Sequence, residues 1–186
     1  MKKQGRGILC ILSTALLCGI LAGCSVPEYQ KGDCTDTGWS SQWLQMTYTL
    51  PDNMTMLDEK ALEGNDNRHG SVYEMAANSP DCTIAIFTEP KNQKSNEGYL
   101  KGVQDQMEAL MPGQCLFGEI EKCTIAGQAF YAMDVVLQQS DGEETKTVYQ
   151  TYLTMTKGDR QIQIVLSALD QKQMEMMMLG FSKIQE

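Results

Sequence analysis

Residues 129–167 read AFYAMDVVLQQSDGEETKTVYQTYLTMTKGDRQIQIVLS, and this stretch decides the fold class. It contains successive runs rich in β-branched and aromatic side chains, which are typical of strands. The runs are residues 129–138, 145–156 and 160–167. Asp141-Gly142 and Gly158-Asp159 stand between them, and such pairs are typical of tight hairpin turns. The stretch therefore predicts an antiparallel meander.

The flanking sequence adds strands and helices to this meander. Further strands are predicted at residues 43–50, 71–77, 82–88 and 115–125. Residues 95–111 carry apolar side chains at three- and four-residue steps, which predicts a helix capped by Ser95 or Asn96 and stopped by Pro112-Gly113. A second helix is expected near residues 170–179. This order predicts an α+β fold, with one antiparallel sheet of about six to seven strands and helices packed on it.

The beginning of the chain has the zones of a secretory leader. Lys2, Lys3 and Arg6 come first, and residues 8–21 are almost wholly apolar. That run has 14 residues, whereas a membrane-spanning helix needs roughly 20. Its length matches the apolar core of a signal peptide, which predicts export.

Leu21, Ala22, Gly23 and Cys24 end the leader and resemble the lipobox of bacterial lipoproteins, which has an aliphatic residue, two small residues and a cysteine. The resemblance implies a signal peptide over residues 1–23, a diacylglyceryl group on the Cys24 thiol and an acyl chain on the new amine. Two chains suffice for stable anchoring. The implied partner is membrane lipid, and the implied location is the extracytoplasmic face of a cell membrane. The alternatives are an ordinary secreted protein and an uncleaved anchor helix.

The part that follows the leader is strongly acidic. All 24 acidic residues lie beyond Cys24 together with 12 basic residues, so the net charge there is −12. Such a surface repels phosphate backbones, which argues against a nucleic-acid partner, and it predicts no basic patch for membrane binding. Residues 24–42 are polar and are expected to form the lipidated N-terminus and a flexible tether. Residues 43–186 are expected to form the folded domain.

The expected domain resembles the PsbP-like fold, which a Ran-binding nuclear import factor shares. The resemblance lies in LPDNM (50–54), GYLKGVQDQMEAL (98–110), EKCTIAGQAFYAMDVV (121–136) and LGFSKI (179–184), with Gly127, Ala129, Phe130 and Tyr131 at a small turn. It implies an α/β/α sandwich used for docking onto proteins. It carries no catalytic or liganding residues, and many bacterial lipoproteins of undefined role resemble it, so function does not follow from fold alone.

The residues that could carry chemistry are few. His69 is the sole histidine and no nucleophile motif accompanies it, so we predict that the protein is not an enzyme and has no cofactor. The cysteines form no C-x-x-C pair that would indicate zinc. Residues 63–67 and 141–144 are oxygen-rich, but they lack the EF-hand order, and solvated turns are the simpler interpretation than calcium sites.

The cysteines beyond the lipobox are either disulfides or free thiols. They are Cys34, Cys82, Cys115 and Cys123. On one continuous strand Cys115 and Cys123 would lie roughly 26 Å apart, too far to bridge; a bend in that strand would remove the objection.

The last predicted helix contains four methionines, at positions 174, 176, 177 and 178. A core stripe explains two of them, and the surplus indicates a soft partner-binding surface. We therefore expect a docking or binding module for envelope proteins, with a small-ligand or cation-binding accessory lipoprotein as the alternative. The first hypothesis predicts an exposed apolar or concave patch on the sheet or between the helices.

Overall fold

A computed structural model describes residues 28–58, 62, 70–141 and 144–185. The strands are β1 Asp33–Thr35, β2 Gly38–Ser41, β3 Met46–Thr49, β4 Thr55–Met56, β5 Val72–Asn78, β6 Cys82–Pro90, β7 Cys115–Phe117, β8 Glu121–Ile125, β9 Gln128–Asp141, β10 Glu144–Lys157, β11 Arg160–Ala168 and β12 Phe181–Lys183. The helices are α1 Asn96–Leu110 and α2 Gln171–Leu179. Neither helix is both long and apolar enough to cross a membrane.

The predicted meander forms the centre of a large antiparallel sheet. Its order is β4-β5-β6-β11-β10-β9-β7, and β8 pairs with β9 beside β7. The strands predicted over 71–77 and 82–88 pair as the antiparallel hairpin β5–β6, and Ser79 Oγ closes its turn by accepting from the Cys82 amide at 3.0 Å. The sheet has eight strands in the described residues, more than the six to seven expected.

Helix α1 begins and ends at its predicted caps, and α2 lies within the expected residues 170–179. Ser95 Oγ accepts from the Gly98 amide at 3.0 Å at the start of α1. Gly113, at a φ of +71°, follows the end of that helix. Asp170 caps α2 by accepting from the Gln173 amide at 2.9 Å. Caps satisfy amide groups that the first turn leaves unbonded, which explains why they mark helix boundaries so well.

The single strand predicted over 115–125 is wrong, because the chain forms two strands there. β7 pairs with β9 opposite Val135–Leu137, and β8 pairs with β9 opposite Gln128–Ala132. Between them the Gly118 amide donates to the Asp134 carbonyl at 2.8 Å, so the interrupted segment stays attached to β9.

The tether expected over residues 24–42 is wrong for the part that the structure describes. β1 and β2 join β3 and β12 in a second, four-stranded antiparallel sheet. Trp39 is only 3% exposed and belongs to the main core. The folded domain therefore begins well before residue 43, and the first strands of the chain are part of it.

The two faces of the large sheet carry different layers. Met133, Val135 and Leu137 point to one face, where they pack with α1. Leu153 and Ile164 point to the other, where they pack with α2 and the small sheet. The predicted α/β/α sandwich has a single sheet between two layers of helix. The structure instead has α1 on one face of the large sheet and both α2 and the small sheet on the other.

Candidate functional site

A groove of about 740 Å³ opens between α2 and the strands β8, β9 and β10. Its walls are mainly apolar: α2 contributes Met174, Met178 and Leu179, and the sheet contributes Ala132, Val136, Tyr149 and Leu153. The small sheet and α2 pack on the same face of the large sheet. The groove lies over the part of β8, β9 and β10 that they leave uncovered on that face.

The methionines of α2 divide between core and surface. Met174 and Met177 are buried and belong to the main core, as the core stripe predicts. Met178 is half-buried in the groove wall, and Leu179 beside it is 83% exposed. Met178 and Leu179 therefore line a concave apolar patch, whereas Met176, which is 46% exposed, does not line it.

Polar groups occupy a few positions in the groove. Asp134 is exposed, and its Oδ1 accepts a 2.6 Å hydrogen bond from the Thr151 hydroxyl. Glu175 lines the wall opposite, on α2. Both are acidic, so the groove combines an apolar surface with negative charge.

The Cys123 thiol also lies in the groove and is half-buried. Burial raises its pKa, and the negative charge of Asp134 raises it further. The thiolate is the reactive form of cysteine, and this environment disfavours it.

The four cysteines in the described part of the chain do not pair with one another. Cys115 lies opposite Leu137 on the α1 face, whereas Cys123 lies opposite Phe130 on the other face. The thiols of Cys82, Cys115 and Cys123 are free, and burial raises the pKa of each. Cys34 donates from Sγ to the Glu74 carbonyl at 3.1 Å.

A buried carboxylate holds the first described residues against the domain. Glu74 is 1% exposed, at a bulge where β5 shifts register against β6. Its two oxygens accept hydrogen bonds from the Tyr29 hydroxyl and the Gly32 amide, each at 2.7 Å. We call Tyr29, Gly32 and Glu74 the N-terminal latch. A buried carboxylate without such donors would be strongly destabilising, so the latch and the bulge depend on each other.

Aromatic and cationic contacts surround the latch. The Tyr29 ring meets the Trp43 ring edge-on at 5.2 Å, and the Arg160 guanidinium lies 4.3 Å from its centre. Gly32 approaches Trp39 so closely that an added Cβ would lie 2.3 Å from the indole nitrogen. Glycine is required there because no larger side chain fits between the segment and the indole.

We expect the free energy of unfolding to fall at alkaline pH more steeply in the native protein than in Tyr29→Phe. Burial, with Glu74 adding to it, raises the pKa of Tyr29 to about 12 from 10.0. The unfolded chain therefore loses this proton first, and the stabilisation is complete below about pH 10 and is lost as pH rises towards 12. Denaturant titrations near pH 8 and about pH 11 measure the difference. Parallel pH profiles of the two proteins would contradict it.

Several predicted site residues lie outside the described residues. They are Leu21, Ala22, Gly23, Cys24, His69 and residues 63–67. Among the residues that the structure describes, no three histidine, cysteine or acidic side chains come together in a way that could hold a metal ion. The sequence analysis missed Glu74 and Asp134. The available signal for Glu74 was a charged residue inside the apolar run Val72–Asn78.

Comparison with known proteins gives matches among solved structures only. No protein-family profile matches the chain, and no curated protein does. The solution structure of cyanobacterial PsbP (CyanoP) from Synechocystis aligns with a TM-score of 0.50, over 89% of this chain and 99% of that chain, at 12% sequence identity. The chain has a PsbP-like fold. At this identity the likeness concerns the fold alone.

Two further structures align less well. LpqN of Mycobacterium tuberculosis, described as involved in cell envelope biogenesis, is 16% identical with a TM-score of 0.43, over 74% of this chain and 82% of its own. A Bacteroides thetaiotaomicron structure is 11% identical with a TM-score of 0.35, over 76% of this chain and 46% of its own. The expected likeness to the Ran-binding import factor stays a prediction.

Proposed function

We propose that this protein is a lipid-anchored binding module at the extracytoplasmic face of a cell membrane, and that its groove binds an apolar segment of an envelope protein that also carries lysine or arginine. The observation that carries the binding role is the apolar groove beside α2. The anchor rests on the leader and on the lipobox-like residues that end in Cys24.

The chemistry of the groove supports this occupant. Met174 and Met178 provide flexible, polarisable side chains that adapt to differently shaped partners. Asp134 and Glu175 add negative charge, which favours a basic residue on the partner and disfavours an acidic one. The protonated Cys123 thiol supplies no nucleophile, so we assign the groove a binding role and no reaction.

A small amphiphilic ligand is the second candidate for the same groove. Its volume of about 740 Å³ lies within the roughly 300–1,000 Å³ that small-molecule sites occupy. The lining is mainly apolar with a few polar groups, which such sites share. The partner-segment proposal is preferred because the exposed Leu179 lies at the rim, where a ligand enclosed by the walls would leave it in water.

We expect Leu179→Lys to weaken binding of a fluorescent amphipathic leucine–lysine peptide at least about tenfold, because burying a leucine side chain contributes about 1.5–3 kcal/mol. Leu110→Lys is the matched control, since Leu110 is 72% exposed at the end of α1, on the opposite face of the large sheet. Fluorescence anisotropy measures both affinities. A peptide with glutamate in place of lysine should bind more weakly than the lysine peptide.

Equal peptide affinity in the two variants would contradict the proposed binding role of the groove. Equal affinity for the lysine and glutamate peptides would contradict the preference for a basic segment. A neutral dye such as 1-aminoanthracene separates the two candidate occupants. Dye binding that Leu179→Lys abolishes, in a protein that binds neither peptide, would favour the small amphiphilic ligand.

A further inference from the structure

The N-terminal latch sharply limits how far the domain can lie from Cys24. Tyr29 is five residues beyond that cysteine, and five fully extended residues span at most about 18 Å. A tether running from residue 24 to residue 42 would instead reach about 65 Å when extended. Because Glu74 holds Tyr29 and Gly32 on the domain, the short span is the relevant one.

The latch lies at one end of the molecule. Tyr29 contacts Arg160 at the start of β11. The Lys91 amide, just past the end of β6, donates to the Asp159 carbonyl in the β10–β11 turn at 2.7 Å. Lys157 in β10 donates to the Trp43 carbonyl beside Tyr29. We call this region the anchor end, made of Tyr29, Lys31, Lys91, Lys157 and Arg160.

Charges of both signs lie at each end of the large sheet among the described residues. The anchor end carries the cations Lys31, Lys91, Lys157 and Arg160, and beside them lie the acidic residues Glu28, Glu89 and Asp159. The opposite end carries the exposed Asp81 in the β5–β6 turn and Asp170 before α2, together with the exposed Lys146 and Lys172. Charge separation therefore does not orient the domain, and the short reach from Cys24 is the remaining constraint.

We propose that the anchor end lies against the bilayer that holds Cys24, and that the end of β9 and the start of β10 lie on the side of the domain away from the bilayer. This inference rests on the proposed lipid attachment. The short reach keeps the anchor end beside the headgroups, whereas a longer tether would leave the domain free to turn. The groove then stands about 13–26 Å from Lys157, because Leu153 and Tyr149 lie four and eight residues away along β10 at about 3.3 Å per residue.

Lysine acylation on reconstituted protein tests this orientation. The full lipidated chain is placed on vesicles of equal parts phosphatidylglycerol and phosphatidylcholine, and acylation by an N-hydroxysuccinimide ester is followed by mass spectrometry. Lys31 and Lys91 are exposed at the anchor end, and Lys146 and Lys172 are exposed towards the opposite end. Relative to the unlipidated Cys24→Ala chain in solution, we expect acylation of Lys31 and Lys91 to slow at least about threefold and that of Lys146 and Lys172 to change little.

A spacer variant shows whether the short reach is responsible. A flexible glycine–serine insert of about 15 residues after Val26 adds a mean span of about 20 Å or more and leaves the latch intact. We expect it to remove most of the protection of Lys31 and Lys91. Unchanged protection in the spacer variant would overturn the inference, as would equal slowing at all four lysines.

The same spectra separate failure of the orientation from failure of the anchor. Absence of lipid on Cys24 in membrane-extracted protein would overturn both the proposed anchor and the orientation that rests on it. Lipid on Cys24 with no slowing at Lys31 or Lys91 would overturn the orientation alone. Protection of these lysines in the unlipidated chain, at a concentration where it self-associates, would assign the anchor end to a second copy and likewise overturn the inference.

Discussion

A chain that begins at Trp43 should fail to fold stably, whereas a chain that begins at Glu28 should unfold cooperatively. The shorter chain lacks β1, β2 and Tyr29, and it removes the buried Trp39 from the main core. Truncation of a buried tryptophan alone costs about 3–5 kcal/mol, a large share of the roughly 5–15 kcal/mol that stabilises a typical domain. The loss of a whole sheet edge adds to this.

Denaturant unfolding followed by tryptophan fluorescence and near-ultraviolet circular dichroism measures the difference. If the truncated protein cannot be produced, Trp39→Ala in the longer chain tests the contribution of this side chain separately. It should lower the free energy of unfolding by about 3–5 kcal/mol and leave a folded protein to measure. Equal denaturation midpoints for chains beginning at residues 28 and 43 would show that residues 28–42 do not stabilise the domain, as expected of the tether that the polar sequence predicts.

Glu74→Ala should lower the free energy of unfolding by about 2–4 kcal/mol. The Tyr29 hydroxyl and the Gly32 amide would lose their hydrogen-bond acceptor at a buried position. The loss should be local as well as global. Amide hydrogen exchange should accelerate first in residues 29–41, since these amides are held by β1, β2 and the latch.

Two variants separate the latch from an unspecific loss of charge. Tyr29→Phe removes one of the two hydrogen bonds and should cost about 1 kcal/mol. Glu121→Ala removes an exposed carboxylate on β8 and should change stability by no more than about 0.5 kcal/mol. Additive effects of Glu74→Ala and Tyr29→Phe would contradict a shared interaction, because coupled partners give a non-additive double mutant.

Local signals in the sequence were enough to predict the meander and the helices. Gly158-Asp159 and the Ser79 turn act within a few residues, and Ser95 and Asp170 cap the helices that follow them. Each of these features depends on hydrogen bonds between near neighbours in the chain, which composition and spacing indicate directly.

The features that sequence analysis missed depend on partners far away in the chain. Residues 33–41 are polar enough to suggest a tether, but β1 pairs with β2 and β2 pairs with β3. Cys34 also donates to the carbonyl of Glu74, 40 residues later in the chain. The break between β7 and β8 is set by the Asp134 carbonyl on β9. The groove, likewise, exists because the small sheet and α2 divide one face of the large sheet between them. No local pattern encodes such a division.

The small sheet joins the two ends of the domain, and this has a consequence for the order of synthesis. β3 and β12 pair across 135 residues, where the hydroxyl groups of Thr47 and Ser182 lie 2.7 Å apart. A polypeptide that emerges N-terminus first presents β1, β2 and β3 long before β12 has been made. The small sheet can therefore close only after synthesis has passed β12, so β1, β2 and β3 must wait without this partner while the whole large sheet is being made.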